Sequence, residues 1–310
     1  MDAIVVGIDV SKDRLDVHVR PAGTVLGYSR DAAGIEGLVG ELVRLAAQLV
    51  AVEATGGFET VVAASLAAAG LPVVVVNPAQ VRAFARAIGQ RAKTDPIDAR
   101  LIALFVEAVR PEVRPMPDTQ TLELAALMAR RRQIVNMLAA EKARRQQADA
   151  GPARVSIARS VTFLTDELKS LDLEIDKTVR GTPVWRDKED LLSCVPGIGK
   201  TIARTLLAEL PELGTLTPKQ AAALVGLAPY TRQSGRWRGK SFIGGGRTAP
   251  RGALYMGAMV AARFNPTLKA FRDKLVAAGK PKLVALIAVA RKLVTILNAI
   301  LRDAKPWRTA

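Results

Sequence analysis

The chain has 310 residues, enough for about two domains that each bury a hydrophobic core. Its 45 lysines and arginines outnumber its 29 acidic residues, and the formal net charge of +16 predicts a polyanionic partner, with nucleic acid favoured over a membrane. A single histidine, His18, and a single cysteine, Cys194, exclude disulfides, zinc sites and histidine-based triads, so any chemistry must use carboxylates, hydroxyls or lysines.

Hydrophobic patterning in the first 90 residues predicts a mixed sheet covered by helices. Three strands come first and then helices alternate with strands, which is typical of this architecture. Strands are predicted at 4–10, 15–19, 24–28, 49–53 and 72–76, and helices at 34–47, 58–69 and 78–88. Asp9 lies toward the end of the first strand and Glu53 ends the fourth. If these strands are neighbours, the two acids converge at one sheet edge.

The segment 93–100, Lys-Thr-Asp-Pro-Ile-Asp-Ala-Arg, predicts the start of a helix. Pro96 suits the first helical position, which makes Asp95 the N-cap. Asp98 then lies one turn on and on the same face, so the two carboxylates could share a divalent ion. Alternatively, Asp95 only caps the helix and Asp98 reaches back as in a capping box.

Prolines 111, 115 and 117 indicate a linker, after which two long helices are predicted at 119–149 and 153–179. The second has apolar residues at heptad spacing, including Leu164, Leu168 and Leu171. The two helices predict a projecting hairpin that self-associates through this seam. The alternative is a hairpin folded onto its own domain.

From residue 183 the pattern predicts a helical domain with two features suited to nucleic acid. The segment 195–201, Val-Pro-Gly-Ile-Gly-Lys-Thr, resembles a helix-hairpin-helix, in which glycines let backbone N–H groups approach phosphates; the glycines could instead serve packing. The loop 228–250 combines cations, the aromatic residues Tyr230 and Trp237, and two serines, Ser234 and Ser241.

The location predicted for the protein is the bacterial cytoplasm, in association with the nucleoid. No signal segment is recognisable at the start of the sequence. The long apolar run at 283–301 carries Arg291 and Lys292 in its middle, which argues against a bilayer span.

Seven short segments, taken together and in order, carry a resemblance to a known family. They are Gly7-Ile8-Asp9-Val10-Ser11-Lys12, Glu53-Ala54-Thr55-Gly56, Lys93-Thr94-Asp95 with Asp98-Ala99-Arg100, Pro196-Gly197-Ile198-Gly199, Gly226-Leu227-Ala228-Pro229, Ser234-Gly235 and Leu254-Tyr255-Met256. This set resembles the DEDD recombinases of insertion-sequence family one-hundred-ten, which are related to the Piv-type DNA invertases. The resemblance spans nearly the whole chain.

The resemblance implies an α/β domain followed by all-α domains. These would be a RuvC-like, RNase H-type nuclease domain at 1–115, a coiled-coil hairpin at 116–182 and a transposase domain with a helix-hairpin-helix at 183–310. By position, the four metal-binding acids match Asp9, Glu53, Asp95 and Asp98, and the nucleophilic serine matches Ser234. The implied ion is Mg²⁺ or Mn²⁺.

The activity that the resemblance implies is DNA recombination between donor and target, guided by a structured bridge RNA, through a phosphoserine–DNA intermediate. A homo-oligomer, dimer or tetramer, is expected. The side chains predicted to contact nucleic acid are Lys93, Arg130, Arg131, Arg132, Lys200, Arg232, Arg236, Trp237, Arg238, Lys240 and Arg247.

Two other functions are compatible with the same residues. One is a Holliday-junction type nuclease, in which the acids activate water. The other is a noncatalytic RNA- or DNA-binding protein with a degenerate nuclease fold.

Overall fold

The computed structural model describes residues 3–90, 95–114 and 118–307, and for residues 95 and 96 it describes the backbone alone. The chain forms two compact units, Met1–Met116 and Pro117–Ala310. Pro115 and Pro117, which belong to the predicted linker, lie outside the described residues. The division into three domains stays a prediction.

The first unit contains the predicted mixed sheet. Its described elements in chain order are β1 (Val5–Val10), β2 (Arg14–Arg20), β3 (Thr24–Ser29), α1 (Ala32–Arg44), β4 (Leu49–Glu53), α2 (Glu59–Ala68), β5 (Val73–Val76), α3 (Pro78–Ala87) and α4 (Asp95–Val109). The strand order is β3-β2-β1-β4-β5, with β2 antiparallel to both its neighbours and β1, β4 and β5 parallel. The mixed architecture and the adjacency of β1 and β4 are therefore confirmed.

Alternation along the strands gives the sheet two buried faces. Val6, Ile8 and Val52 point to one face and pack in a core that includes Leu38 of α1 and Leu66 of α2. The opposite face contributes Val5, Ala51 and Val74, which pack in a second core with Ile102 and Phe105 of α4. The helix that carries the predicted acids thus covers one defined side of the sheet.

The second unit is mainly helical. Its described elements are α5 (Thr119–Gln147), α6 (Pro152–Gly181), α7 (Pro183–Ser193), α8 (Lys200–Glu209), α9 (Pro218–Leu224), the two-residue strands β6 (Pro229–Tyr230), β7 (Gln233–Ser234), β8 (Trp237–Arg238) and β9 (Phe242–Ile243), then α10 (Thr248–Phe264), α11 (Pro266–Ala277) and α12 (Lys282–Asp303). The region that the sequence predicted as one flexible loop is ordered as two short ladders, β6 with β9 and β7 with β8.

The hairpin of α5 and α6 uses its apolar seam within the chain. Ile134 and Leu138 of α5 pack against Leu164 of α6, and Leu168 and Leu171 are partly buried beside them. The expectation that this seam faces a partner molecule does not hold, because the neighbouring helix of the same chain covers it. Self-association of the chain stays a prediction and would not use this seam.

A buried ion pair joins the base of the hairpin to the rest of the second unit. Glu189 of α7 is fully buried and accepts a hydrogen bond of 2.6 Å from Nε of Arg204 in α8. Nη2 of Arg180, near the end of α6, lies 2.9 Å from the same carboxylate. Arg204 also pairs with Asp176 of α6. Three helices are therefore tied together by a buried Glu189–Arg204 pair and by two more exposed partners, Arg180 and Asp176.

One helix in the described part of the chain, α12, is long and apolar enough to cross a membrane by length and composition. Core helices pass the same test. Val289, Leu293 and Leu297 of α12 are fully buried in the main hydrophobic cluster of the second unit. The packing therefore agrees with the sequence argument against a span.

Candidate active site

Three acidic residues lie side by side at one level of the sheet. Asp9 of β1 and Asp16 of β2 are direct partners in the antiparallel ladder. Asp9 and Glu53 each follow the pair Ile8↔Val52 that ends the parallel ladder between β1 and β4. Adjacent strands are about 4.8 Å apart, and these side chains share the face that α4 covers. The register thus puts Asp9 and Glu53 at neighbouring positions of adjacent strands, and their role as metal ligands stays a prediction.

A fourth acid, Asp98, reaches this face from α4. Gly7 of β1 allows an unusually close approach, since a β-carbon at that position would come within 2.3 Å of Ala99 O and Ala103 N. Asp98 directly precedes Ala99 and is only 5% exposed. The first turns of α4 are thus held against the strand that carries Asp9.

Two arginines bind acids of this group. Nη2 of Arg82 in α3 lies 3.4 Å from Oδ1 of Asp98. Nε of Arg14 lies 2.9 Å from Oδ1 of Asp16, whose side chain is almost wholly buried while that of Arg14 is exposed. The guanidinium groups supply positive charge where carboxylates are removed from water.

The donor chemistry of this face suits a hard divalent cation. Carboxylate oxygens are the ligands that Mg²⁺ prefers, and Asp9, Glu53 and Asp98 supply them from two strands and a helix. Among the described residues, no three acid, histidine or cysteine side chains are grouped closely enough to hold an ion. The side chain of Asp95, which is predicted as a metal ligand, and all of Lys93, which is predicted to contact nucleic acid, lie outside the described residues.

Asp16 is the residue of this face that the sequence analysis missed. A signal was available: buried Leu15 and Val17 flank Asp16 in β2, so strand alternation places Asp16 on the opposite face. Predicting its position beside Asp9 requires the register of the β1–β2 hairpin as well. The register is Asp9↔Asp16 and Gly7↔His18.

His18 lies on the same face and is buried. Burial lowers the pKa of its imidazole below 6.5, and the positive charges of Arg100 and Arg20 lower it further. The ring is therefore neutral at pH 7. Because no histidine other than His18 exists in the sequence, imidazole catalysis elsewhere is excluded.

Ser234 lies beside the tight turn of a small exposed hairpin in the second unit. It pairs with Trp237 across β7 and β8, so Gly235 and Arg236 form a two-residue turn. Gly235 has φ +56°, which glycine adopts without strain. Within the described residues the Ser234 hydroxyl makes no hydrogen bond, whereas the Ser241 hydroxyl lies 3.0 Å from that of Thr231. The two serines are thus in different environments.

Aromatic and cationic side chains surround this hairpin on the surface. Trp237 is 59% exposed, and its ring lies against Gly239, where a β-carbon would come within 2.3 Å of it. The guanidinium of Arg232 lies 4.8 Å from the ring centre of Phe242. Arg236 and Lys240 are exposed. The surface combines flat aromatic groups with positive charge, as nucleic-acid-binding surfaces do.

Other cations predicted to contact nucleic acid have protein partners. Arg247 forms a bidentate pair with Glu212, at 2.7 and 2.6 Å. Each of the remaining five has one partner: Arg130 with Gln133, Arg131 with Asp172, Arg132 with Glu209, Lys200 with Asp176 and Arg238 with Gln233. Pairing favours a structural role for Arg247 in particular.

The glycine turn between α7 and α8 serves packing at one position. Gly197 has φ +107°, and a β-carbon there would come within 2.8 Å of Ala261 N in α10. Gly199, which precedes α8, faces open space. The packing explanation therefore accounts for Gly197, and phosphate binding at the start of α8 stays a prediction.

Comparison with known proteins identifies the family. A DEDD transposase model of the IS110 type matches residues 6–148, and a model of the IS116/IS110/IS902 transposase family matches residues 189–273. The pilin gene-inverting protein of Moraxella bovis is 31% identical over 240 residues, which cover 76% of this chain and 74% of that protein. The chain belongs to the IS110 transposase family.

Other relatives agree with this membership. The pilin gene-inverting protein of Moraxella lacunata is 30% identical over 83% of this chain and 80% of its own length. An uncharacterized protein of insertion element IS110 from Streptomyces coelicolor is 30% identical over 48% of this chain and 36% of its own. The family comprises transposases and DNA-inverting proteins, which places this chain among recombinases of mobile elements.

Proposed function

We propose that the protein is an RNA-guided DNA recombinase that moves a mobile element by metal-dependent phosphoryl transfer, with Ser234 as the nucleophile. The observation that carries the proposal is the convergence of Asp9 and Glu53 on neighbouring strands beneath the helix that carries Asp98. Family membership supports DNA as the substrate, and the Moraxella relatives are named for inverting a gene.

The acids would hold Mg²⁺ or Mn²⁺. Asp9, Glu53 and Asp98 supply carboxylate oxygens at one face, and Asp95 joins them by its position in the family motif. When bound, such ions polarise a phosphoryl oxygen and stabilise the charge that develops on the entering and leaving oxygens. The protein's part is to fix the carboxylates on rigid elements and to carry the nucleophile.

Ser234 would act by forming a covalent ester with DNA. Its Oγ bonds to phosphorus, one P–O bond to a sugar oxygen breaks, and that oxygen leaves as a hydroxyl after taking up a proton. The proton of Ser234 passes to a carboxylate, a lysine or water, since His18 is buried in the first unit. Reversal of the step with a hydroxyl from another strand releases the serine and reseals DNA without ATP.

The exposed surface around Ser234 supports a nucleic-acid partner on the second unit. Trp237, Arg236 and Lys240 are exposed there and combine a stacking ring with two cations. We propose that donor DNA, target DNA and a structured guide RNA bind the protein, and that a homo-oligomer assembles the active centre.

The decisive experiment traps the covalent intermediate. Wild-type protein, its guide RNA and Mg²⁺ are incubated with a suicide DNA substrate, and a denaturing gel is used to detect a protein–DNA adduct. Wild type and Ser241→Ala should both give the adduct, and Ser234→Ala should give none. Ser241 is the matched control, because it lies in the same loop and its hydroxyl is paired with Thr231.

Three results would contradict parts of this proposal. Recombination by Ser234→Ala would rule out the serine mechanism. Cleavage without an adduct, in wild type, would favour a Holliday-junction type nuclease that uses the same acids and water. An adduct that forms equally without RNA would contradict guidance by RNA.

A further inference from the structure

Asp16 is a buried acid that lies directly beside another acid of the sheet. It faces Asp9 directly across the β1–β2 ladder, and like charges at such positions repel each other. The Asp16 side chain is 4% exposed, so water screens this repulsion poorly. An apolar residue at position 16 would pack under α4 without that penalty.

Arg14 holds this carboxylate from the side remote from Asp9. On β3, the ladder partner of Asp16 is Gly27. A β-carbon at Gly27 would come within 2.8 Å of Nη2 of Arg14, so the guanidinium lies over this glycine while its Nε contacts Asp16. Four neighbouring strands therefore place four residues at one level of the sheet. They are Gly27 of β3, which lies under Arg14, Asp16 of β2, Asp9 of β1 and Glu53 of β4.

We propose that Asp16 is a positioning residue of the metal site, a further carboxylate that strengthens divalent-cation binding at Asp9 and Glu53. It would act through its negative charge beside a bound ion, while Arg14 sets its orientation and offsets part of that charge. This role rests on the proposed metal-dependent function. It differs from a plain Arg14–Asp16 ion pair in predicting effects of opposite sign for the two partners.

The charge argument gives the direction of each effect. Asp16→Asn removes one negative charge beside the cation and should weaken its binding. Arg14→Gln removes a positive charge and should tighten it, and Gly27→Ala should do the same because the new methyl group displaces the guanidinium. Groups that support metal ligands in this way typically change affinity by about 10–100-fold when removed.

The test measures binding of Mn²⁺ alone to the full-length chain by electron paramagnetic resonance, without nucleic acid. Circular dichroism confirms the fold of each variant. We expect Asp16→Asn to weaken binding by roughly tenfold or more, and Arg14→Gln and Gly27→Ala to strengthen it by a measurable factor. Asp9→Asn should abolish binding.

The outcomes separate this inference from the proposed function. Binding that is lost in Asp9→Asn but unchanged in Asp16→Asn contradicts the role of Asp16 alone. Wild-type protein that binds no Mn²⁺, or that binds it equally after Asp9→Asn, contradicts the metal site itself. If Asp16→Asn does not fold, the test rests on Arg14→Gln, because the side chain of Arg14 is exposed and its loss should leave the fold intact. A weakened or unchanged affinity of Arg14→Gln for Mn²⁺ would overturn the inference.

Discussion

Gly7 of β1 lies directly beneath Ala103 of α4, where a β-carbon would come within 2.3 Å of the Ala103 amide nitrogen. The neighbouring atom belongs to helix backbone and cannot rotate away. The absence of one methyl group therefore determines how closely the helix that carries Asp98 approaches the strand that carries Asp9.

We expect Gly7→Ala to lower the free energy of unfolding by about 1–3 kcal/mol or more, because overpacking pushes α4 away from the sheet. Gly40→Ala is the control. Gly40 lies in the middle of α1 on its exposed side, with open space around it. Alanine there should therefore stabilise the protein by about 0.5–1 kcal/mol. Urea denaturation measures both. Equal stability of the two variants would contradict the close-approach argument.

We expect each of four variants to abolish DNA cleavage while nucleic-acid binding persists: Asp9→Asn, Glu53→Gln, Asp95→Asn and Asp98→Asn. Loss of one carboxylate weakens binding of the metal ion and leaves the hydrophobic cores intact. Glu107→Gln is the control, since Glu107 is on the same helix as Asp98 but pairs with Arg20 at 2.6 Å. Cleavage assays measure the activity of these variants and of the control, and filter binding measures their affinity for nucleic acid. Full cleavage by a double variant of Asp9 and Asp98 would rule out the metal site.

The buried His18 predicts a pH dependence of stability. Its pKa in the folded chain is below 6.5, so the unfolded chain takes up the proton first as pH falls. The contribution of neutral His18 is thus full above about pH 6.5 and is lost progressively as pH falls toward the folded-state pKa. We expect His18→Gln to lose less stability than wild type between about pH 7.5 and about pH 5, measured by urea denaturation. Identical losses would contradict this.

We expect nucleic-acid affinity to fall steeply with salt, and the exposed Arg236 to contribute to that slope. Arg236→Gln should reduce the slope of log affinity against log salt by about one if it contacts a phosphate. Arg247→Gln should instead lower thermal stability, since Arg247 is bound to Glu212. Trp237→Ala should weaken binding at all salt concentrations through lost stacking. A flat salt response would exclude a phosphate-dominated interface.

Two adjacent residues of the hairpin distinguish folding from association. Leu164 is 9% exposed and packs against α5, so Leu164→Asp should destabilise the hairpin by about 2–5 kcal/mol. Phe163 is 66% exposed and should matter only if copies associate there. Analytical ultracentrifugation of Phe163→Asp is expected to give a smaller oligomer with unchanged circular dichroism. An unchanged oligomer would exclude this surface.

The sequence predicted the elements of the first unit well because their apolar patterns are unambiguous: Leu49–Glu53 was predicted at its observed bounds. It failed on relations that need the register. Asp16 lies in a strand that was predicted, but its position beside Asp9 follows only from the hairpin ladder. The seam at Leu164 was predicted, but periodicity cannot say whether its partner is in the same chain. Ser234 is a candidate nucleophile through the family motif alone, since its surroundings resemble an ordinary turn.

The Glu189–Arg204 pair limits how this protein can change over evolutionary time. Glu189 is fully buried, and loss of Arg204 would leave its carboxylate paired with Arg180 alone. Loss of Glu189 would leave the buried Arg204 paired with Asp176 alone, so a substitution at either residue destabilises the fold. Replacing both by apolar residues of similar volume can be neutral, yet each single intermediate is strongly destabilised. Lineages of this transposase are therefore expected to keep both residues or to lose them together, and a sequence with only one should carry a compensating change at Arg180 or Asp176.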